Sequence, residues 1–267
     1  MASNKQDTEK RRLAAIQRYV IDDARAEFKE RYGDVTFAPM VALICAYDEE
    51  DNIGDVLAQM PTEACGMPVT TLVIVDGGED KTAEIARNSG AYTFAFPVNL
   101  GHGVALRVGY QLCIEHGVNY VVTLDADGQN DPVEIPVMLE PLVNDESDFV
   151  VASRRLGEDK TNNTFRKVGV RFFSAIVNAM TGANLTDTSN GYRALRTTML
   201  ADVVPRLEQV QYQTAELIIT ALRRGWRVSE KPTMWYPRAH GTTKKGNDLL
   251  FGFRYANVVF RTRLRER

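Results

Sequence analysis

The sequence predicts an α/β fold, a mostly parallel central sheet with helices on both faces and helical additions at the two ends. Three observations predict it. From Met40 onward, short apolar runs alternate with longer stretches of helical periodicity. Those runs are apolar almost throughout, as strands covered on both faces require. Several of them stop abruptly in clustered polar residues, which is where a parallel sheet gathers its ligands.

Residues 1–12 are polar and charged and are expected to lack fixed structure. Leu13, Ile16, Val20 and Ala24 then recur at helical spacing, and the pattern stops at Tyr32-Gly33, so residues 1–38 read as a disordered start followed by an added amphipathic helix. The α/β domain is expected over 39–245, with strands at 41–46, 71–75, 92–95, 120–124 and 148–152. Helices are expected between them, at 52–60, 80–89, 103–116 and 132–144. Residues 246–267 mix Leu249, Phe253, Phe260 and Leu264 with Arg254, Arg261, Arg263, Arg265 and Arg267, and read as a basic, apolar helix. It is too short and too charged to span a bilayer. Packing on the α/β domain or on another subunit is favoured slightly over lying on an anionic membrane surface, because Gly252 and a loose periodicity weaken the amphipathic pattern.

The chain has 267 residues, 44% of them hydrophobic, enough for one large core. A net charge of -3 supplies no global basic field, so no nucleic-acid partner is expected. Cys45, Cys65 and Cys113 are odd in number and widely spaced, and read as reduced packing residues. With no leader-like apolar segment and no run of transmembrane length, the expected location is the cytoplasm, with a peripheral position at the inner membrane face left open.

Chemistry concentrates at three strand ends. In Y-V-V-T-L-D-A-D-G-Q-N-D-P, residues 120–132, an apolar run ends in Asp125, Asp127, Gln129 and Asp131. Asp125 and Asp127 are two apart and share a face in extended backbone, while Gly128 lets Gln129 turn back toward them. Converging carboxylates call for a cation, and a hard divalent ion carrying a diphosphate fits oxygen ligands; the alternative is a polar turn. Asp76 precedes Gly77 and Gly78 in D-G-G-E-D-K-T. Such a backbone admits a planar ring while the carboxylate accepts its N–H groups; the alternative is a Gly-Gly turn with Asp80 capping the next helix. N-L-G-H-G, residues 99–103, sets two glycines at a helix start, where backbone N–H groups receive a phosphate. Neither a P-loop nor a dinucleotide fingerprint is present.

Taken together, P-M-V-A-L-I-C-A-Y-D-E-E-D-N-I, V-D-G-G-E-D-K-T, N-L-G-H-G, L-D-A-D-G-Q-N-D-P and V-A-S-R resemble family 2 glycosyltransferases of the GT-A (Rossmann-like) fold, especially the polyprenyl-phosphate sugar synthases of the dolichyl-phosphate mannose synthase type. The resemblance covers roughly residues 39–245. It implies inverting transfer of a hexose from a UDP- or GDP-hexose, assisted by Mg²⁺ or Mn²⁺. By that resemblance Tyr47, Asp48, Glu50, Asp76, Gly77, Gly101, His102, Asp125 and Ala126 bind the nucleotide sugar, and Asp125, Asp127 and Gln129 hold the metal. Arg154, Arg166, Arg193 and Arg238 fall on the acceptor side. D-T-S-N-G-Y-R at 187–193, E-K-P at 230–232 and R-A-H-G-T-T-K at 238–244 resemble further elements of the family.

Departures bear on the acceptor more than the donor. Asp48 stands where the family has Asn, Val75 where it has the first of two acidic residues, and His102 where lysine is common. The polyprenyl-phosphate enzymes carry R-x-x-x-S; here Arg166 is followed by Val170, and one phosphate-binding hydroxyl is missing. A polyprenyl phosphate acceptor is already anionic and needs no strong base. A hydroxyl of a soluble or polymeric acceptor needs a carboxylate, for which Asp187 and Glu216 are the candidates beside Asp127 and Arg154. An ordinary helix position in T-A-E-L-I-I-T-A-L is the equal alternative for Glu216. A homo-oligomer is compatible with the sequence, and a non-catalytic nucleotide-sugar-binding protein is the remaining alternative.

Overall fold

The computed structural model describes residues 2–161, 164–211, 213–241, 258–262 and 264–266. An eight-stranded sheet orders its strands β2-β3-β1-β5-β7-β6-β8, with β4 also paired to β3. The strands are β1 (Met40–Ala46), β2 (Glu63–Ala64), β3 (Met67–Val75), β4 (Tyr92–Ala95), β5 (Tyr120–Asp125), β6 (Phe149–Asp159), β7 (Arg193–Arg196) and β8 (Val228–Trp235). The helices are α1 (Ala2–Tyr32), α2 (Ile53–Ala58), α3 (Thr82–Asn88), α4 (His102–Glu115), α5 (Ile135–Val143), α6 (Thr164–Thr181), α7 (Thr197–Val203) and α8 (Gln213–Arg223).

Strands β4, β3, β1 and β5 run parallel, and β6 runs parallel to β8. The short β7 lies antiparallel to both β5 and β6, so the sheet is mixed and reverses at this point. Alternation along β1 feeds two cores. Val41, Leu43 and Cys45 face a cluster with residues of α1, α4, α6, α7 and α8, whereas Met40, Ala42, Ile44 and Ala46 face α2, α3 and α5. Complete burial of β1 on both faces explains its unbroken apolar run.

Two expectations need correction. Helix α1 begins at Ala2, so residues 2–12 are helical and not unstructured. The charged start is rich in Lys, Arg, Glu and Gln, which are good helix formers, and its continuity with Val20, Ala24 and Phe28 on the core extends the helix. Strand β6 runs to Asp159, well past the expected 152. Its polar second half is held by pairing with β8, with an irregularity between Ser153 and Glu158. Of the C-terminal segment, residues 258–262 and 264–265 are helical, with Val258 and Val259 buried; Leu249, Phe253 and the rest of 242–257 lie outside the described residues.

Candidate active site

The C-terminal ends of β1, β3 and β5 lie side by side, because Cys45 pairs with both Ile74 and Asp125. That register gathers the three polar strand ends into one cleft. Tyr47, Asp48, Gly78, Glu79, Pro97, Val98 and Asn99 line a cavity of about 450 Å³ beside the ends of β1 and β3. Asp48 adopts φ 48°, and Gly77 and Gly78 adopt φ 73° and 114°. A Cβ on Gly77 would stand 2.4 Å from the Asn99 nitrogen, and one on Gly78 would stand 2.5 Å from Asp48 Oδ1, so both positions require glycine. Glu50 accepts from the Lys81 amide at 3.1 Å, and Asp80 accepts from the Thr82 amide at 3.0 Å in the turn before α3, whose N-cap position is Lys81 and not the expected Asp80.

Asp76 is buried at the end of β3 and accepts from the amides of Leu100 at 2.7 Å and Gly101 at 2.9 Å. Burial pushes its carboxyl up to about 6, although both amides act to lower it. Gly101, at φ 101°, precedes α4, and His102 is the first residue of that helix.

At the end of β5 come Asp125, buried Ala126, Asp127 and Gln129. Asp127 Oδ1 accepts from the Gln129 amide at 3.1 Å, and Gln129 is tied to Tyr236 by its side-chain N–H to the Tyr236 carbonyl at 3.0 Å. Gly191 closes on Asp125 so nearly that a Cβ there would stand 3.2 Å from its carboxylate. Among the described residues no group of three or more His, Cys, Asp or Glu side chains is placed to hold a metal ion. The carboxylates of Asp125 and Asp127 and the side-chain carbonyl of Gln129 are the hard oxygen donors at this strand end.

The segment after β8 straps this cleft. Arg238 ion-pairs with Glu49 and lies 3.5 Å from Asp127. The His240 amide donates to Asn52 at 3.1 Å, and Asn52 donates to Glu49 at 2.9 Å. Neither Glu49 nor Asn52 was marked as a site residue by the sequence. Both sit in the same polar cluster after β1, but their partners lie 188 and 189 positions away.

On the other side of the cleft, Arg154 of β6 clasps Asp187, with Nε to Oδ2 at 2.6 Å and Nη2 to Oδ1 at 2.8 Å. Both are buried, and Arg154 also stands over the Trp235 ring at 4.9 Å. Burial alone would raise the Asp187 carboxyl; the charge and hydrogen bonds of Arg154 overcome it and hold the carboxyl below the usual range. Half-buried Ser189 donates its hydroxyl to Asp187 at 3.1 Å. Glu230 accepts the amides of Thr186 at 2.7 Å and Asp187 at 2.8 Å, fixing the loop from below. Arg193 is buried and donates to the Asn190 carbonyl at 2.8 Å. Val170 of α6 is buried, and the Arg166 side chain lies outside the described residues. Glu216 of α8 sits apart from this group and accepts from the Glu208 and Gln209 amides.

The family model for glycosyl transferase family 2 matches residues 41–204, which takes in the polar ends of β1, β3 and β5. The chain belongs to glycosyl transferase family 2. It is an enzyme that moves a hexose from a nucleoside diphosphate sugar to an acceptor. Among its relatives, a dolichyl-phosphate hexose transferase of Haloferax volcanii is 32% identical over 211 residues, 79% of this chain and 88% of that one. An undecaprenyl-phosphate mannosyltransferase of Micrococcus luteus is 27% identical over 220 residues, covering 79% and 89%. Among solved structures, glucosyl-3-phosphoglycerate synthase from Mycobacterium tuberculosis, in complex with Mn²⁺, UDP-glucose and phosphoglyceric acid, matches with a TM-score of 0.65 at 19% identity over 89% of this chain and 83% of that one. The last likeness bears on the fold. No helix among the described residues is long and apolar enough to cross a membrane.

Proposed function

We propose that this family 2 member is an inverting hexosyltransferase that takes a UDP- or GDP-hexose with Mg²⁺ or Mn²⁺ and delivers the sugar to a hydroxyl of a soluble or polymeric acceptor. The observation that carries the acceptor reading is the state of the arginines. Of the four arginines expected on the acceptor side, the three whose side chains are described, Arg154, Arg193 and Arg238, are each engaged with groups of the protein itself, and buried Val170 adds no hydroxyl for a phosphate.

On the donor side, Asp76 accepts N–H groups of the base and the turn at Gly77 and Gly78 admits the ring, while the Leu100, Gly101 and Gly103 amides are already taken up by Asp76 and the Val210 carbonyl. Asp125, Asp127 and Gln129 would hold the cation together with the diphosphate, and the chemistry it would supply there is neutralisation of the charge on the departing phosphate. Asp187 is the carboxylate for the acceptor proton; clasped by Arg154 and held below the ordinary range it is a weak base, so it takes the proton late, as the bond to the sugar forms. It has no exposed surface, so half-buried Ser189, hydrogen-bonded to it, passes the proton on: the acceptor O–H proton goes to Ser189 Oγ as the Ser189 proton goes to Asp187 Oδ1.

Asp76 also sets a pH dependence. Only its ionised form accepts N–H groups on both oxygens, so donor KM should fall as pH rises through about 6, and the dependence should vanish in Asp76→Asn. The same raised carboxyl makes the folded state bind its proton more tightly than the unfolded chain. Its contribution to stability is accordingly lost as pH rises from about 4 to about 6. Steady-state kinetics between pH 5 and 8 checks the first point, and a flat wild-type profile would return Asp76 to a purely turn-forming role.

A polyprenyl phosphate acceptor is the second reading, supported by the names of the curated relatives and by the chemistry of a nucleophile that arrives ionised and needs no base. Radiolabelled sugar offered with a cell extract, followed by solvent partition, separates the two. The hydroxyl reading expects label in water-soluble product and a loss of about 10²-fold or more in Asp187→Asn. Label confined to the lipid phase, with Asp187→Asn still active, would replace it with the polyprenyl phosphate reading.

A further inference from the structure

Glu216 is a buried charge that the proposed chemistry leaves unused. It has no exposed surface, and its carboxylate accepts from the Glu208 amide at 3.0 and 3.1 Å and from the Gln209 amide at 3.0 Å. Arg265, in the helical stretch near the C terminus, pairs with it at 3.0 Å and reaches Glu208 at 3.2 Å. Removed from water and engaged by these donors, this carboxylate is already occupied as an anchor.

What it anchors lies against the nucleotide side of the cleft. The Gly103 amide donates to the Val210 carbonyl at 2.8 Å, Arg107 donates to the Gln209 carbonyl at 2.6 Å, and Gln213 donates to the Gly103 carbonyl at 2.9 Å. The fit is tight. A Cβ on Gly101 would stand 2.4 Å from Val210 Cγ1, and one on Gly103 would stand 2.3 Å from the Gln209 carbonyl. Gly101 in turn donates its amide to Asp76. A continuous series of short contacts thus runs from Arg265 through Glu216, residues 208–210 and the Gly101–Gly103 turn to Asp76.

We infer that Glu216 and Arg265 are positioning residues for the nucleotide pocket: they fix the 208–210 segment that shapes the Gly101–Gly103 turn and aims Asp76. The C-terminal helical stretch is then part of the support of the donor site. This rests on the reading of Asp76 as a base contact.

The test uses the full-length chain, with Arg265→Met, Arg265→Lys and Glu216→Gln. Binding of UDP and GDP is measured by calorimetry with Mn²⁺, and donor KM and kcat by steady-state assay. Arg265→Met and Glu216→Gln should weaken nucleotide binding and raise donor KM about tenfold while kcat stays within about threefold, and Arg265→Lys should recover most of the loss. If Glu216→Gln fails to fold by circular dichroism, Arg265→Met decides. Unchanged nucleotide affinity in Arg265→Met overturns the inference. A Glu216→Gln enzyme with unchanged KM and kcat reduced more than about a hundredfold also overturns it and puts Glu216 in proton transfer. A wild-type protein that binds neither nucleotide overturns the nucleotide-pocket reading itself, and the inference with it.

Discussion

Asp127→Ala is expected to lower kcat by about 10²–10³-fold or more, the scale of losing one well-placed group that stabilises transition-state charge, while leaving the protein folded. Asp127 is partly exposed, and its contacts include the Gln129 amide and the 3.5 Å approach of Arg238. Arg238 keeps Glu49 as a partner when the carboxylate is removed, and the freed amide can turn to water. The stability cost should therefore stay near about 1 kcal/mol. Unfolding in urea, run beside the kinetic assay, separates the two effects. EDTA should reproduce the kinetic loss in the wild type and add nothing in the variant.

Arg154→Met should have the opposite signature, a large loss of stability. It would strand Asp187, which has no exposed surface, as an unpaired buried carboxylate, at a cost of about 3–5 kcal/mol. Adding Asp187→Leu to the same chain should recover part of that loss, because the stranded charge is then gone, and the two changes should be far from additive. The pH dependence has a definite sign. Asp187 is held below its ordinary range, so its contribution is present above the unfolded value of about 3.9 and is lost as pH falls through the folded value. The gap between wild type and Arg154→Met measured in urea should narrow in acid. Equal stability of the two proteins at pH 7 would contradict the account of this pair.

Much of the fold was legible because the parallel core strands announce themselves. Strand β4 falls on the expected residues Tyr92–Ala95, and β1 and β5 differ from expectation by one residue each. Strand β7 was not legible, since R-A-L-R is four residues long and offers no period to read. The polar extension of β6 was missed for a related reason: its order comes from β8 pairing, and Gly157 lies so close to Thr233 that a Cβ would stand 2.1 Å from its carbonyl. At the site, the strand-end clusters around Asp76 and Asp125 were visible as local patterns. The strap from Arg238 to Glu49 was visible only as a family-like motif without a partner, because the two lie 189 positions apart. Glu216 shows the limit of periodicity most clearly. An apolar helix with one glutamate looks the same whether that glutamate serves chemistry or anchors a loop, and its contacts with residues 208 and 209 follow from tertiary packing.

The central claim is that the β5 end binds a nucleoside diphosphate jointly with a divalent cation. Calorimetric titration of UDP and of GDP into the wild type and Asp127→Ala, each in Mn²⁺ and in EDTA, tests it most directly. The account predicts saturable wild-type binding of one of the two nucleotides in Mn²⁺, weakened at least about tenfold by EDTA and by Asp127→Ala, with no further loss when both are combined. Binding of equal strength in all four conditions would contradict it.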